Sequence, residues 1–366
     1  MKVALFGGSF DPFHTDHVNI VKACHDDLKF DEVGIIPAYV NPFKHVSTSS
    51  VSQRLKMIEI ATKDLPYVKI SQYEISKKQK SYTFETVKYF KNEYPDLDFS
   101  FIIGSDQLDS FESGNFFDDL IKMIDFKVFL RSDSYRKDIV EKYHLEVFEF
   151  ENNFLSSTDI RNLNRVDVQI PEVNDFINDN MMYLYERLET KMDEKRYYHS
   201  LNVGQMSLEL AKLNGVDLNK ALFAGTLHDI AKRGSHDEMK KYLEKYNPEL
   251  LNEPEPVGHS FVGAMHIKYD GLFHDDEIIS AIHKHTVGDT EMSPLDMIVF
   301  CADKISIERN YEGVEEMRKL VRADLYLGFV ELLKQQVEVA IEKHGEDSVG
   351  KQIMKTYHAF VKSEEN

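Results

Sequence analysis

The hydrophobic repeat of this chain changes period once, near Pro171, and that change dictates two cores rather than one. Before it, short β-type runs alternate with amphipathic helical runs. The β-type runs are KVALF (2–6), DEVGIIP (31–37), VKISQYE (68–74), FSFII (99–103), FKVFL (126–130) and LEVFEF (145–150), and segments such as 17–28, 51–65 and 84–94 lie between them. Strands alternating with helices imply a parallel sheet covered on both faces. After Pro171, apolar residues recur at helical spacing, as in Met181, Tyr185 and Leu188 or Val203, Met206, Leu210 and Leu213. The pattern predicts helices over about 217–232, 236–246, 257–270, 275–287, 293–308 and 325–343. With 366 residues there is chain enough for both units. The expected organisation is an α/β domain over 1–180 and an all-α domain over 181–366, with the boundary between about 165 and 190 and no long Gly/Ser linker.

Charge narrows the partners. A formal net charge of −19 argues against a nucleic-acid surface, because phosphate backbones are held by an excess of Lys and Arg. It leaves small nucleotides open, since local backbone amides, a few cations and metal ions hold those. No apolar run approaches the ~18 residues of a membrane span. The start, MKVALFGGSF, meets glycine too soon for a signal peptide, so a cytoplasmic location is expected and no membrane partner. Cys24 and Cys301 are far apart and neither forms a CxxC pair, which suits buried small hydrophobes in a reducing compartment.

The first chemistry lies in GGSFDPFHTDH, directly after the first strand. Gly7 and Gly8 let the backbone approach a phosphate closely, and the helix beginning near Asp16-His17 points free amides at it. His14 and His17, three apart, can face one ligand from a single turn. There they can donate hydrogen bonds to a triphosphate as charge develops at its α-phosphorus.

This run resembles the signature of the HxGH nucleotidyltransferases, and the first half as a whole resembles bacterial nicotinate mononucleotide adenylyltransferases. Further segments follow in the family's order: Asn41-Pro42-Phe43-Lys44, Arg54 in SQRLKMI, SYTFET (81–86), GSDQL with Gly104 and Asp106, Arg131 after FKVFL, and LSSTDIR (155–161). The resemblance implies a Rossmann-like α/β fold, His14 and His17 as catalytic groups, and ATP bound by Gly7, Gly8, Ser9, Phe10, His14, His17, Ser156, Ser157 and Arg161. It implies a mononucleotide site using Lys44, Thr83, Asp106 and Arg131. The reaction would be in-line adenylyl transfer from ATP, with Mg²⁺ on the phosphates. Two positions depart from the family. Asp16 stands where glycine is usual, so its carboxylate has to point away, cap the helix or meet Mg²⁺. The chain has no tryptophan to stack on a pyridine ring; Gly114 holds the corresponding place, and Phe111, Phe116 or Phe117 could substitute.

The second chemistry centres on His228-Asp229 in AGTLHDIAK, on a predicted helix. Adjacent helical side chains diverge by about 100°, so the imidazole can serve one metal while the carboxylate bridges two. His199, His259, His283, His285 and Asp303 lie on successive helices around it. Such a set suits a pair of transition-metal ions, which acidify a water and hold a phosphate for attack. The order resembles the HD superfamily, and the neighbouring residues resemble its symmetrical dinucleoside tetraphosphate hydrolases. That resemblance implies an all-α HD domain with His199, His228, Asp229, His259, His285 and Asp303 as metal ligands, Asp229 also catalytic, and Lys232 and Arg309 on substrate phosphates. His283 then lies outside the ligand set. Iron is the first expectation for the metal, with manganese, cobalt or zinc as alternatives.

The expected function is therefore bifunctional. Nicotinate mononucleotide is adenylylated by ATP in NAD biosynthesis, and diadenosine tetraphosphate is hydrolysed to two ADP. The competing reading changes the acceptor to nicotinamide mononucleotide or pantetheine phosphate, with the HD domain a nucleotide sensor or a hydrolase of another phosphorylated nucleotide. Oligomeric state is left open.

Overall fold

The computed structural model describes residues 1–39, 49–113, 116–132, 134–345 and 349–361. Two compact units divide the chain, Met1–Met182 and Tyr183–Asn366.

In the first unit, β1 (Lys2–Gly8), β2 (Glu32–Pro37), β3 (Val68–Ile70), β4 (Asp98–Gly104), β5 (Asp125–Phe129) and β6 (Glu146–Phe148) form one sheet in the order β3-β2-β1-β4-β5-β6. Every neighbouring pair is parallel. The unit's helices are α1 (Thr15–Asp26), α2 (Val51–Thr62), α3 (Tyr73–Ser76), α4 (Thr83–Glu93), α5 (Phe117–Met123), α6 (Lys137–Tyr143), α7 (Ser157–Arg161) and α8 (Pro171–Asp179). Val3, Ala4, Leu5 and Phe6 are all buried, as consecutive residues must be in a strand covered on both faces. This is the Rossmann-like arrangement. Its strand order reverses between β1 and β4, and ligands of such sheets bind beyond the carboxyl ends of the strands at that reversal. One expected strand, 68–74, is cut short. After Ile70 the Ser71 hydroxyl accepts the Tyr73 amide at 3.2 Å, and this local bond turns the chain into α3.

The second unit contains α9 (Leu184–Glu189), α10 (Glu194–Asn214), α11 (Leu218–Leu227), α12 (His236–Tyr246), α13 (Gly258–Met265), α14 (Asp276–Lys284), α15 (Pro294–Ile305), α16 (Val314–Ala323), α17 (Leu325–His344) and α18 (Lys351–Phe360). Asp193, Asp217, Ser235, Asp275, Ser293 and Asp324 each cap a helix by accepting a first-turn amide, which accounts for where these helices begin. Val203, Leu210, Phe223, Ile282, Ile298, Phe300, Phe329 and Leu333 form its buried interior. The α10–α11 contact is set by two glycines. A Cβ on Gly204 would lie 2.1 Å from Thr226 Oγ1, and one on Gly225 would lie 2.3 Å from Ser207 Oγ. Only hydrogen at these positions lets the helices approach far enough to bring His199 and His228 together. The α11 helix ends at Leu227, so His228-Asp229 lies on the turn after it rather than within the expected helix. The turn forms because His228 Nδ1 takes the Gly225 carbonyl at 2.7 Å while the backbone tightens, with the Ile230 amide bonded to Leu227 O. No helix among the described residues is long and apolar enough to cross a membrane.

Candidate active sites

In the first unit, Gly7 and Gly8 end β1 and Gly104 ends β4, on the two sides of the reversal. A Cβ on Gly104 would meet Asp106 Oδ1 at 2.3 Å and Arg131 Cδ at 2.7 Å, so the position has no room for a side chain. Between the strand ends lies a cavity of about 250 Å³ walled by Gly7, Gly8, Ser9, Phe10, His17, Asp106, Arg131 and Ser157. A second cavity of about 190 Å³ shares Gly7, Gly8, Gln107 and Ser110 and extends to Ser81, Thr83, Phe84, Phe111 and Phe117. Two contiguous spaces thus meet at the glycine pair. Asp106 and Arg131 join the histidine side, while Thr83 joins the other, so the three described mononucleotide residues do not share one wall. Lys44, with Asn41-Pro42-Phe43, lies outside the described residues, as does Gly114.

His14 caps α1 and its backbone N–H donates to His17 Nδ1 at 3.2 Å. That bond leaves the His17 proton on Nε2, as a donor for the cavity His17 lines. His14 packs against it at a tilt of 33°, ring centres 3.6 Å apart, and is 1% exposed without lining the cavity. Burial, seconded by Arg131, pulls His14 down to about 3, and burial with His14 and Arg131 lowers His17 well below its ordinary value. Both are neutral donors near neutral pH. The unfolded chain binds the proton that the folded site refuses, so stability is complete above pH 6.5 and lost as pH falls toward about 3. We expect His14→Gln to flatten the fall in melting temperature between these limits; an unaltered acid slope would contradict the assignment.

Asp16 points away from the cavity. Its Oδ1 accepts Asn153 N and Nδ2, each at 2.9 Å, and its Oδ2 accepts Leu155 N at 2.8 Å. The departure from glycine therefore pins the irregular segment that leads into α7. Asp16→Ala would leave the buried Leu155 amide and the half-buried Asn153 amide without this partner, at a cost of about 3 kcal/mol. Denaturant unfolding of the full chain should show that loss, and a change below about 1 kcal/mol would contradict it.

Ser156 caps α7 and is occupied by Asp159, with Oγ to Oδ2 at 2.5 Å. Ser157 reaches the cavity wall and donates to Pro12 O at 2.9 Å. Arg161 donates to Asp11 O at 2.6 Å and to Thr158 Oγ1 at 3.0 Å, and does not line the cavity. Arg54, fully buried, braces the glycine loop by donating to Ser9 O and Ala38 O, both at 2.7 Å. Of the three rings that could replace tryptophan, Phe111 and Phe117 pack into the core edge. Phe116 is 63% exposed and stacks on the cavity residue Phe84 at 5.0 Å.

In the second unit Asp229 stands at the centre. Its Oδ1 lies 3.0 Å from His259 Nε2 and 3.6 Å from His285 Nε2. Its Oδ2 lies 3.5 Å from His228 Nε2 and 3.8 Å from His199 Nε2. Asp303 Oδ1 completes the latter side, 3.2 Å from His199 and 3.7 Å from His228. The groups His199/His228/Asp229 and Asp229/His259/His285 each bring their ligand atoms within 4.8 Å of one another. One carboxylate thus faces two ligand sets with different oxygens. All six expected ligands are gathered; His283 instead packs on Phe261 at 4.8 Å.

The chemistry of this donor set fits divalent cations. Each ligand histidine is oriented through its other nitrogen: His228 on Gly225 O at 2.7 Å, His285 on Ile282 O at 2.7 Å, His259 on Pro256 O at 2.9 Å and His199 on Glu308 Oε1 at 2.5 Å. His228 Nε2 is fully buried and has no hydrogen-bond partner among the described residues. Burial outweighs the pull of Asp229 and brings His228 to about 3, which keeps the lone pair free for a metal. Burial works against the Asp229 carboxylate, yet its imidazole neighbours outweigh that and hold it well below the ordinary range.

Cations ring the centre. Arg309 donates to Asp303 Oδ1 at 2.7 Å, and Lys232 Nζ lies 3.1 Å from His259 Nδ1, so both expected phosphate residues are at the site. Three further participants lie outside the sequence expectations: Arg196, 2.5 Å from Asp229 Oδ2; Lys304, which donates to His285 O at 3.1 Å; and Glu308. Arg196 could have been found as the residue one turn before His199 on the same helical face. Because Glu308 sets the His199 ring, Glu308→Ala should weaken metal binding about tenfold to a hundredfold. Metal titration against a chelator would measure it, and an unchanged affinity would deny Glu308 that role.

The two geometries define a nucleotidyltransferase domain followed by an HD metal-binding hydrolase domain. The cytidylyltransferase-like family matches residues 5–163, and the HD domain family matches 196–308. A Mycoplasma genitalium protein named "Probable nicotinate-nucleotide adenylyltransferase/Ap4A hydrolase" is 31% identical over 91% of this chain and 97% of its own length. A Mycoplasma pneumoniae protein of the same name is 31% identical over 90% and 97%. The symmetrical bis(5'-nucleosyl)-tetraphosphatase of Bacillus subtilis is 33% identical over 42% of this chain and 84% of its own length. The chain belongs to the family of fused nicotinate-nucleotide adenylyltransferase/Ap4A hydrolases.

Proposed function

We propose that the first unit adenylylates nicotinate mononucleotide with ATP, giving nicotinate adenine dinucleotide and pyrophosphate, and that the second splits diadenosine tetraphosphate into two ADP. The carrying observation for the first is that two cavities meet at Gly7-Gly8 beside His17. ATP lies on the histidine side and the mononucleotide on the Thr83 side. A phosphate oxygen of the mononucleotide bonds to the α-phosphorus as the bond to pyrophosphate breaks, and no protein nucleophile intervenes. His17 Nε2–H donates to the oxygens on which charge accumulates, and Arg131 neutralises them. Ser157 and the α7 region take the outer phosphates, with Ser156 and Arg161 holding that region in place. Lys44 is assigned to the mononucleotide phosphate on sequence alone. Mg²⁺ supplies charge neutralisation on the phosphates. Ser81 Oγ, buried in the second cavity without a partner among the described residues, is a donor suited to the nicotinate carboxylate. Phe84 and Phe116 offer the stacking surface.

For the second unit the carrying observation is Asp229 presenting one oxygen to each ligand group. His199, His228 and Asp303 would hold one ion and His259 and His285 the other, with Asp229 common to both. When bound, the ions supply the positive charge that makes a phosphoanhydride electrophilic and a water acidic. Iron is the proposed metal, with manganese, cobalt or zinc as alternatives. Arg196, Lys232 and Arg309 orient the phosphate chain. The cytoplasm is the proposed location, since all three proposed substrates are small nucleotides.

Acceptor competition tests the first assignment. With ATP saturating, kcat/KM for nicotinate mononucleotide should exceed that for nicotinamide mononucleotide or pantetheine phosphate by at least about tenfold. A preference for pantetheine phosphate would overturn it.

A further inference from the structure

We propose that a groove beside Arg309, outside the metal centre, binds the nucleoside part of the substrate of the second unit. The groove holds about 410 Å³, within the range of small-ligand sites, and is lined by Ile307, Arg309, Asn310, Tyr311, Gly313 and Arg318, among others. It rests on the reading that this centre cleaves a nucleotide polyphosphate.

Three observations join it to the chemistry. First, the loop between α15 and α16 connects both places residue by residue. Glu308 reaches inward to His199 and Arg309 to Asp303, while Ile307, Asn310 and Tyr311 line the groove. A phosphate chain held at the ions and at Arg309 has this groove as its neighbour. Second, the loop is irregular yet held firmly. Arg318, 8% exposed, donates to the carbonyls of Ile305 at 2.9 Å, Ser306 at 2.7 Å, Ile307 at 3.3 Å and Arg309 at 2.8 Å. A buried guanidinium that ties the last carbonyl of α15 to three carbonyls of the loop gives the loop one conformation, as a binding surface requires. Third, the loop displays apolar groups to water. Ile307 is 77% exposed and Tyr311 is 40% exposed. An aliphatic and an aromatic side chain flanking a phosphate-binding arginine match a base on one side and its phosphates on the other.

The test exploits the absence of tryptophan from the chain. Tyr311→Trp places a single reporter in the groove, blind to nucleotides bound elsewhere. In the metal-loaded full chain, ADP should quench its emission saturably and pyrophosphate should not. Adding Ile307→Asp should weaken that quenching about tenfold, and Ile307→Asp alone should raise KM for diadenosine tetraphosphate about tenfold at unaltered metal content. If ADP leaves the emission unchanged, or if pyrophosphate quenches equally, the groove is not a nucleoside site. Quenching by ADP in a chain that hydrolyses no dinucleotide would keep the groove and remove the substrate assignment. Hydrolysis with KM insensitive to Ile307→Asp would do the reverse.

Discussion

Asp229→Ala should abolish hydrolysis of diadenosine tetraphosphate, by about three orders of magnitude or more, while adenylyl transfer proceeds at the wild-type rate. The size follows from position. Among the described residues, Asp229 alone belongs to both ligand groups, with Oδ1 toward His259 and His285 and Oδ2 toward His228 and His199. Its removal would take one donor from each of the two proposed ions and leave four buried imidazoles crowded around a volume with less negative charge. Asp229→Asn is the informative companion. It keeps the shape and one oxygen but loses the charge, so one ion should be retained more strongly than the other. Metal content per chain, measured beside initial rates of ADP formation, separates the outcomes. A variant that keeps both ions and its activity would contradict a bridging role.

His17→Ala should lower kcat for adenylyl transfer by about 10²–10³, the range found when a single preorganised donor to developing phosphate or oxyanion charge is lost. KM for ATP should move less, because the hydrogen bond strengthens as charge builds on the α-phosphate. The neutral state of His17, enforced by burial, His14 and Arg131, makes it a donor rather than a counter-ion. His17→Asn, which retains an N–H near the same place, should recover part of the loss. Pyrophosphate release at saturating substrates reads this directly, and a loss below about threefold would remove His17 from the reaction.

Much of this was written in local pattern. Strand–helix alternation and the later helical spacing specified both fold classes, because hydrophobic period follows directly from which face is buried. GGSFDPFHTDH fell on a strand end and helix start, where such a motif has chemical meaning. The histidines and aspartates gathered around Asp229 stood out because several histidines on successive helices have few structural uses, while the choice of His285 over His283 came from the resemblance to HD proteins. What was hidden depended on tertiary company. Nothing local says that Asp16 turns to Asn153 and Leu155 rather than to phosphate. Nothing local says that Glu308 orients His199, because their proximity is made by α10 meeting the loop after α15. The helices α16 and α18 lie outside the sequence expectations, although Val314, Met317 and Val321 recur at helical spacing on the first; on the second only Ile353 and Thr356 are buried. The strand expected over 68–74 ended early because a serine hydroxyl captured the backbone.

Product chromatography of the purified protein decides whether one chain carries two separate nucleotide chemistries. Offered ATP and nicotinate mononucleotide, it should yield nicotinate adenine dinucleotide and pyrophosphate. Offered diadenosine tetraphosphate with a divalent transition metal, it should yield ADP as the sole nucleotide. Failure to form the dinucleotide, or recovery of ATP with AMP in place of ADP, would contradict the account.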